Sequence, residues 1–483
     1  MTQAAAAPRA SQPPRLAPAL DVVRLTRWRE WLALAGLLAL VFVAFVFRLN
    51  SVVLSDMDEG TYLYAGKLLA EGGLPYRDFL LAHPPLLVLM AAAWERLAGS
   101  DVMAARLVYL ALVLLSTLPL YGLARELARS HVAGALAVVT YTTGMLLLAN
   151  MGRTIRLEPI MSGFLIAGSC AYLQRPVSRR LTAGAGALLA AAVLVKLVAL
   201  VPIGFLLLGD LLFRRRRDLP PSWAWLAAGA GVVLLPAAVF LFSQPHFVED
   251  ALLSQLNRPG LPLATRAYFV WQDFTRYPVI PVALVAAVWL LLRSNDRRLR
   301  VVALISIGGS LSLVVLFRTF FGYYLVQVLP WLAVTFAAVC AAGARQLGAR
   351  GRRALLPVVV VLGLALPVAY DEYYYRTAHD HVSSPAEVVA RLRGGNGYVY
   401  TMYPSLALWS GRTIYPWYYA ADALVPRLTG RLGSAEFVRA FSECQALVFY
   451  AGELDDYPEA QAYVEREFRP VYQDAFFAVW TRS

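Results

Sequence analysis

The sequence has little charge, little cysteine and almost no lysine, and the first two shortages each exclude a class of protein. Only 16% of its 483 residues are charged whereas 59% are hydrophobic, which excludes an ordinary soluble protein. Three cysteines, two of them in apolar runs, are too few for a disulfide framework or a Cys-based zinc site. The only two lysines are Lys67 and Lys196. The composition therefore indicates an α-helical polytopic membrane protein whose basic residues are almost all arginine.

Several familiar sequence signatures are also missing. The chain shows no internal repeat of about 20–50 residues, no phosphate-binding glycine loop and no nucleophile-elbow motif. These absences argue against a repeat protein, a phosphate-loop enzyme and an acyl-transferring hydrolase. A formal net charge of +13 would suggest a nucleic-acid partner in a soluble chain, but here the basic loops of a membrane protein account for it, so the expected partner is the lipid bilayer.

The apolar runs outline how the chain crosses the membrane. A transmembrane helix needs roughly 20 apolar residues, and several runs come close to that length. The polar, proline-rich N-terminus (1–30) is predicted to be a disordered cytoplasmic segment, followed by an uncleaved first span. The twelve runs lie at about 31–47, 84–98, 102–125, 131–149, 157–174, 181–195, 197–213, 223–243, 277–293, 300–317, 321–344 and 354–370.

Arginine clusters decide which of these runs cross. Loops rich in arginine remain in the cytoplasm. All clusters reach that side only if the run at 84–98 stays at the outer face as a juxtamembrane or re-entrant helix. The sequence thus predicts about 11 transmembrane helices in a domain of residues 31–370, with a first outer loop at 48–101. The clusters lie at 9–29, 125–129, 175–180, 214–217, 293–300 and 345–353.

Residues 371–483 are predicted to form a small extracytoplasmic α/β domain. Strand patterns at 398–403 and 446–450 alternate with helix patterns at 386–393 and 457–468. This segment also contains 13 of the 25 tyrosines of the chain. A sugar-binding surface, an interfacial aromatic belt or the core of the domain itself would each explain them.

Three carboxylates stand together after the first span, at Asp56, Asp58 and Glu59. Asp56 with Glu59 three residues later matches a helix capping box, and Asp58 could equally be the cap. Capping explains one or two of these acids but not all three. A carboxylate at the water–lipid boundary can also act as a general base towards a hydroxyl. Both interpretations stay open on this pattern alone.

Charges that precede or interrupt spans on the outer face form the second part of the candidate site. A charge at such a position is costly and is normally paired or functional, although arginine can also snorkel to lipid headgroups. Together the cations would fit one or two phosphates of a lipid. They are Arg153, Arg156, Lys196 and Arg318, and Glu158 accompanies the first two.

These residues resemble the motifs of the GT-C superfamily of membrane glycosyltransferases. The likeness is to the branch that contains protein O-mannosyltransferases and lipid A aminoarabinose transferases, and it covers about 30–370. The matching elements are the acidic pair Asp58-Glu59, the His83-Pro84-Pro85 element, the Arg-plus-acid motif from Arg153 to Pro159, and the aromatic-to-proline motif from Tyr323 to Pro330.

The resemblance implies an inverting glycosyltransferase at the outer face of the bacterial cytoplasmic membrane. It would move a sugar from a polyprenyl-phosphate donor to a hydroxyl of an envelope glycan, a lipid or a protein. The implied base is Asp58, while Glu59 and Glu158 would position the acceptor, or a divalent cation if one is used. The residues implied to bind the donor phosphate are His83, Arg153, Arg156, Lys196 and Arg318.

Besides a non-catalytic envelope scaffold, the alternative is a lipid-linked glycan transporter, or flippase, without transferase activity. It would also need many spans and boundary arginines. Secondary transporters usually show repeat halves and broken midplane helices, and the sequence shows neither. The transferase interpretation is therefore favoured.

Overall fold

The protein is described by a computed structural model in which helices predominate. The described residues are 28–46, 57–149, 151, 153–173, 178–213, 222–257, 260–317, 322–377, 379–415 and 433–483. The first ten helices are α1 (Trp28–Val46), α2 (Met57–Ala70), α3 (Leu86–Ala98), α4 (Val102–Leu115), α5 (Thr117–Ala128), α6 (His131–Ala149), α7 (Leu157–Leu173), α8 (Arg179–Val195), α9 (Leu200–Phe213) and α10 (Ser222–Ser243).

The chain continues with shorter and more irregular helices. Two 3-10 turns cover Leu197–Ala199 and Gly322–Gln327, and two π-helical turns cover Val248–Leu253 and Val361–Ala365. The later helices are α11 (Ser254–Leu256), α12 (Leu263–Arg276), α13 (Val279–Arg293), α14 (Arg297–Leu316), α15 (Leu329–Gln346), α16 (Gly348–Val360), α17 (Leu366–Thr377), α18 (His379–Leu392), α19 (Pro404–Ser410), α20 (Ser434–Ser442) and α21 (Pro458–Glu467).

All twelve apolar runs contain helix, because in lipid only a helix satisfies the hydrogen bonds of a lone segment. Four of the described helical segments are each long and apolar enough to cross a membrane, and the pair α12 and α13, bent by 96°, would make a fifth. The predicted class, a helical membrane protein with a small C-terminal sheet, is confirmed. Helix α3 has 13 residues and is thus about 20 Å long, shorter than the roughly 30 Å hydrocarbon core.

The C-terminal residues form a five-stranded sheet with the order β2-β1-β3-β5-β4. Strands β2, β1 and β3 are parallel, and β3, β5 and β4 are antiparallel. The predicted strands and helices of this module are present, but β4 and β5 were not predicted. The strands are β1 (Tyr398–Thr401), β2 (Thr413–Ile414), β3 (Cys444–Tyr450), β4 (Phe468–Gln473) and β5 (Phe477–Arg482). The domain boundary at 370/371 stays a prediction.

Helix α2 belongs to two hydrophobic cores. Its residues Tyr62 and Ala65 lie in the large core of the helical bundle. Tyr64 lies instead in a core of the C-terminal module, together with Val399 and Leu406. The helix that begins at the predicted acidic pair is therefore packed on both sides.

Candidate functional site

Asp58 lies in the first turn of α2, where the helix dipole favours a negative charge. Arg156, which follows α6 and precedes α7, donates from Nη1 to Asp58 Oδ2 over 3.1 Å. The Asp58 side chain is 42% exposed, so solvent or a substrate can reach it. Tyr109 on α4 makes two hydrogen bonds with the backbone of Arg156. Its hydroxyl donates to the Arg156 carbonyl over 2.7 Å and accepts from the Arg156 N–H over 3.1 Å.

Glu59 is fully buried and engaged within the protein. Arg106 on α4 donates to both of its carboxylate oxygens, from Nε over 2.9 Å and from Nη2 over 2.5 Å. The backbone N–H of Ile155 donates to Glu59 Oε1 over 3.0 Å. Glu59 therefore ties α2 to α4 and to the segment before α7. Arg106 is not among the residues predicted from the sequence, although an arginine inside an apolar run is itself a signal.

Arg153 contacts the end of the first helix. Its Nε donates to the carbonyl of Phe45 and its Nη2 to the carbonyl of Ala44, each over 2.9 Å. The last carbonyls of a helix have no partner within the helix, so this arginine caps α1. The side chain is buried. These contacts give Arg153 a structural role. Its contact with a donor phosphate stays a prediction.

Lys196 and Glu158 form a second, buried ion pair near Asp58. The two charged groups lie 2.5 Å apart, and Lys196 stands between α8 and α9 where it breaks the helix. Burial would lower the pKa of the Lys196 ammonium, but the carboxylates of Glu158 and Asp58 raise the pKa on balance, so the ammonium stays charged. The site therefore has a second fixed cation beside Arg156.

Two tyrosines of the turn at 322–327 connect the two ion pairs. The guanidinium of Arg156 lies 5.6 Å from the ring centre of Tyr323. The Lys196 ammonium lies 5.9 Å from the Tyr323 ring and 4.9 Å from the Tyr324 ring, within the usual range of cation–π contacts. Asp58, Arg156 and Lys196 are thus brought together around one aromatic pair. Arg318 lies outside the described residues.

A cleft of about 560 Å³ opens beside Lys196. His83, Lys196 and Gln255 supply polar groups, and the walls are apolar side chains of α9, of the segment 252–256 and of the end of α14. Gln255 Nε2 donates to the carbonyl of Ala82 over 2.8 Å, and Tyr76 donates to the carbonyl of His83 over 2.6 Å. These bonds hold the backbone next to His83, which lines the cleft.

No three His, Cys, Asp or Glu side chains lie close enough to hold a metal ion within the part of the chain that the structure describes. The carboxylates of Asp58 and Glu158 are each paired with a protein cation. The divalent cation that the sequence left open remains a prediction.

Comparison with solved structures identifies the fold. The structure is similar to ArnT from Cupriavidus metallidurans bound to undecaprenyl phosphate, with a TM-score of 0.65 and 14% identity over 94% of this chain and 98% of that chain. The apo form of the same protein gives a TM-score of 0.64 and 16% identity over 94% and 98% of the two chains. The chain has the GT-C fold.

Two further comparisons are consistent with the GT-C fold. The oligosaccharyltransferase of Archaeoglobus fulgidus, tethered to an acceptor peptide, aligns over 95% of this chain and 74% of its own with a TM-score of 0.53 and 10% identity. A sequence profile described as dolichyl-phosphate-mannose-protein mannosyltransferase matches residues 82–242, which include His83, Glu158 and Lys196. No curated protein matches the sequence significantly. The resemblance to the GT-C superfamily is confirmed.

Proposed function

We propose that this protein is an inverting glycosyltransferase that moves a sugar from a polyprenyl phosphate to an acceptor hydroxyl at the outer face of the cytoplasmic membrane. One observation carries the proposal: Arg156, which is paired with the partly exposed carboxylate of Asp58, and Lys196, which lines the cleft, lie 5.6 Å and 5.9 Å from the centre of the Tyr323 ring. This transfer requires a base and a phosphate-binding site that lie close together.

The cleft supports a lipid phosphate as the donor. Lys196 and His83 offer positive or donating groups, and the apolar walls suit an isoprenoid chain. Undecaprenyl phosphate is the ligand of the similar ArnT structure, which supports the same chemical class here. Arg156 would reach the phosphate from the Asp58 side, and Arg318, next in the chain to the cleft residue Phe317, is proposed as a further phosphate ligand.

The chemistry needs one base and a stabilised leaving group. Asp58 accepts the proton of the acceptor hydroxyl. At the same time the hydroxyl oxygen attacks the anomeric carbon from the face opposite the phosphate. The bond between that carbon and the phosphate oxygen breaks, and its electron pair leaves with the polyprenyl phosphate. Lys196 and Arg156 stabilise that charge, so no general acid is required.

The remaining predicted residues then act through their neighbours. Glu158 keeps Lys196 charged and in place, and Glu59 anchors the start of α2. The acceptor would be an envelope glycan, a lipid or a protein, approached from the side of the C-terminal module. A divalent cation would have to displace Arg156 or Lys196 from its carboxylate.

The test is release of polyprenyl phosphate from a panel of polyprenyl-phosphate sugars, with membrane extract as acceptor. We expect release by the wild type and a loss of about 10² to 10⁴-fold in Asp58→Asn, the usual worth of a general base. Asp78→Asn, in the same loop but exposed and paired with Arg77, is the matched control and should stay active. Adding EDTA to the wild type decides whether a metal is needed.

Two results would contradict the proposal. Equal release by the wild type and Asp58→Asn would keep the enzyme but remove Asp58 as its base. No release with any donor would reject transferase activity, and transport of the same lipids across sealed vesicles would then test the flippase alternative.

A further inference from the structure

One face of α2 is docked into the C-terminal module along its length. Gly60, Tyr64 and Leu68 are spaced by four residues and therefore share that face. A Cβ atom on Gly60 would lie 2.1 Å from the backbone nitrogen of Ser405, so α2 and α19 touch there. The Tyr64 hydroxyl donates to the carbonyl of Ile414 over 3.2 Å and accepts from its N–H over 2.9 Å. The module thus packs against the helix that carries Asp58 in its first turn.

A second contact reaches the module from the acidic pair. The ring of Trp409, at the end of α19, lies 5.7 Å from the buried guanidinium of Arg106. Arg106 in turn holds both oxygens of Glu59, the neighbour of Asp58 in the chain. Trp409, Arg106 and Glu59 therefore form a continuous chain of contacts from the module to the catalytic turn.

We propose that the C-terminal module positions the catalytic base, with Trp409 and Tyr64 as its positioning residues. This inference rests on the proposed function. It assigns the module a role in the chemical step, in addition to any acceptor binding. The physical reason is that a shift of about 1 Å in a reacting group can lower a rate about 100-fold. The two sets of contacts from the module restrain the first turns of α2 and therefore the position of Asp58.

The test compares two substitutions of one residue. Trp409→Phe keeps an aromatic face for Arg106, and it removes an Nε1 that is buried without a hydrogen-bond partner among the described residues. Trp409→Leu keeps an apolar side chain of smaller volume but loses the aromatic face, and the volume loss is matched in the control variant. Trp480→Leu is the matched control, because Trp480 packs on the opposite side of the sheet from Tyr64. The readouts are kcat and the donor KM for polyprenyl phosphate release, and binding of undecaprenyl phosphate.

We expect Trp409→Leu to lose about 10- to 100-fold in kcat with an unchanged donor KM and unchanged undecaprenyl phosphate binding. Trp409→Phe and Trp480→Leu should keep kcat within a few-fold of the wild type. Hydrogen exchange gives an independent readout: backbone amides at 57–66 should exchange faster in Trp409→Leu and at the wild-type rate in Trp409→Phe.

Three outcomes overturn the inference. Equal kcat losses in the Phe and Leu variants would show that the aromatic face is irrelevant. A raised KM at unchanged kcat would make the module a binding element only, and unchanged exchange in Trp409→Leu would break its link to α2. If the wild type is active and any of these results appears, this inference alone fails. If the wild type is inactive with every donor, the proposed function fails and this inference falls with it.

Discussion

Asp58 and Glu59 are neighbours in the chain but lie in different surroundings. Asp58 is partly exposed beside Arg156, whereas Glu59 has no exposed side-chain surface and meets the equally buried Arg106. An exposed carboxylate can exchange protons with a substrate. A buried one in a bidentate pair mainly fixes structure, because separating it from its partner leaves an uncompensated charge in the interior.

We therefore predict that Glu59→Gln destabilises the protein strongly. It leaves the Arg106 guanidinium buried without its counter-charge, a change that costs about 3–5 kcal/mol in other proteins. Thermal unfolding in detergent, followed by tryptophan fluorescence, should show a lower Tm than the wild type. Asp78→Asn breaks an exposed pair, which contributes little to stability, and serves as the control. Similar Tm values for both variants would contradict the buried-pair argument.

The sequence could identify the acidic pair but not its partners. Asp58 and Glu59 stand out because three acids cluster after a span. Arg106 lies 47 residues from Glu59, and only the tertiary fold brings the two side chains together. For Arg153 the sequence indicated a residue that binds a donor phosphate. In the structure its guanidinium donates to the last carbonyls of α1.

At the scale of elements, α12 is an amphipathic helix bent by 96° from the apolar helix α13. Leu263, Tyr268 and Trp271 are exposed along one face, a pattern typical of a helix that lies in a membrane interface. On the other face Asp273 is buried, and its Oδ2 has no hydrogen-bond partner among the described residues. Burial raises the pKa of Asp273 to about 7, against the opposing effect of Arg276.

This pKa predicts how stability depends on pH. The folded protein keeps the Asp273 proton up to about pH 7, whereas an unfolded chain releases it near pH 3.9. The stability from this proton is complete below the unfolded pKa and is lost as the pH rises through the folded one. Asp273→Asn mimics the protonated group at every pH. The difference in the free energy of unfolding between this variant and the wild type should therefore grow from pH 5 to pH 8, by up to about 3 kcal/mol in favour of the variant.

The measurement is Tm against pH for both proteins in the same detergent. Asp455→Asn, on an exposed turn, is the control and should follow the wild-type curve at every pH. A constant difference between Asp273→Asn and the wild type across this range would show that Asp273 titrates as an ordinary carboxyl.

The elements themselves were largely predictable, for a physical reason. In lipid an apolar run has to be helical, so the runs gave the bundle helices. Breaks within runs were harder, and the run at 102–125 divides into α4 and α5 at Ser116. In the module, β4 has a single buried residue, Phe468, and no alternation of apolar and polar residues, so its pairing with β5 depends on a partner that the local pattern does not reveal.

At the scale of the whole molecule, two arginines from predicted cytoplasmic clusters, Arg298 and Arg345, lie together at one end of the bundle. Arg298 at the start of α14 pairs with Glu126 near the end of α5. Arg345 at the end of α15 donates to the carbonyl of Ala128 over 2.6 Å. Helix α14 then runs from this end to the cleft, where Leu316 is a lining residue. The basic end and the candidate site thus lie at opposite ends of the same helices.

This arrangement sharpens the predicted topology, in which the basic end is cytoplasmic and the site and module are outside. Single cysteines at Asn295, in the basic loop between α13 and α14, and at Ser483, the last residue, report the two sides. Both positions are exposed. With a membrane-impermeant maleimide, Ser483→Cys should react in spheroplasts with an intact inner membrane and Asn295→Cys only after permeabilisation. The wild type controls for its own thiols, of which Cys170 and Cys444 are buried and Cys340 is half-buried.

Reaction of both variants in the intact spheroplasts would mean an even number of spans after residue 295 and would contradict the count of three that the eleven-span topology requires. The reverse pattern would turn the site towards the cytoplasm and remove the outer-face reaction altogether.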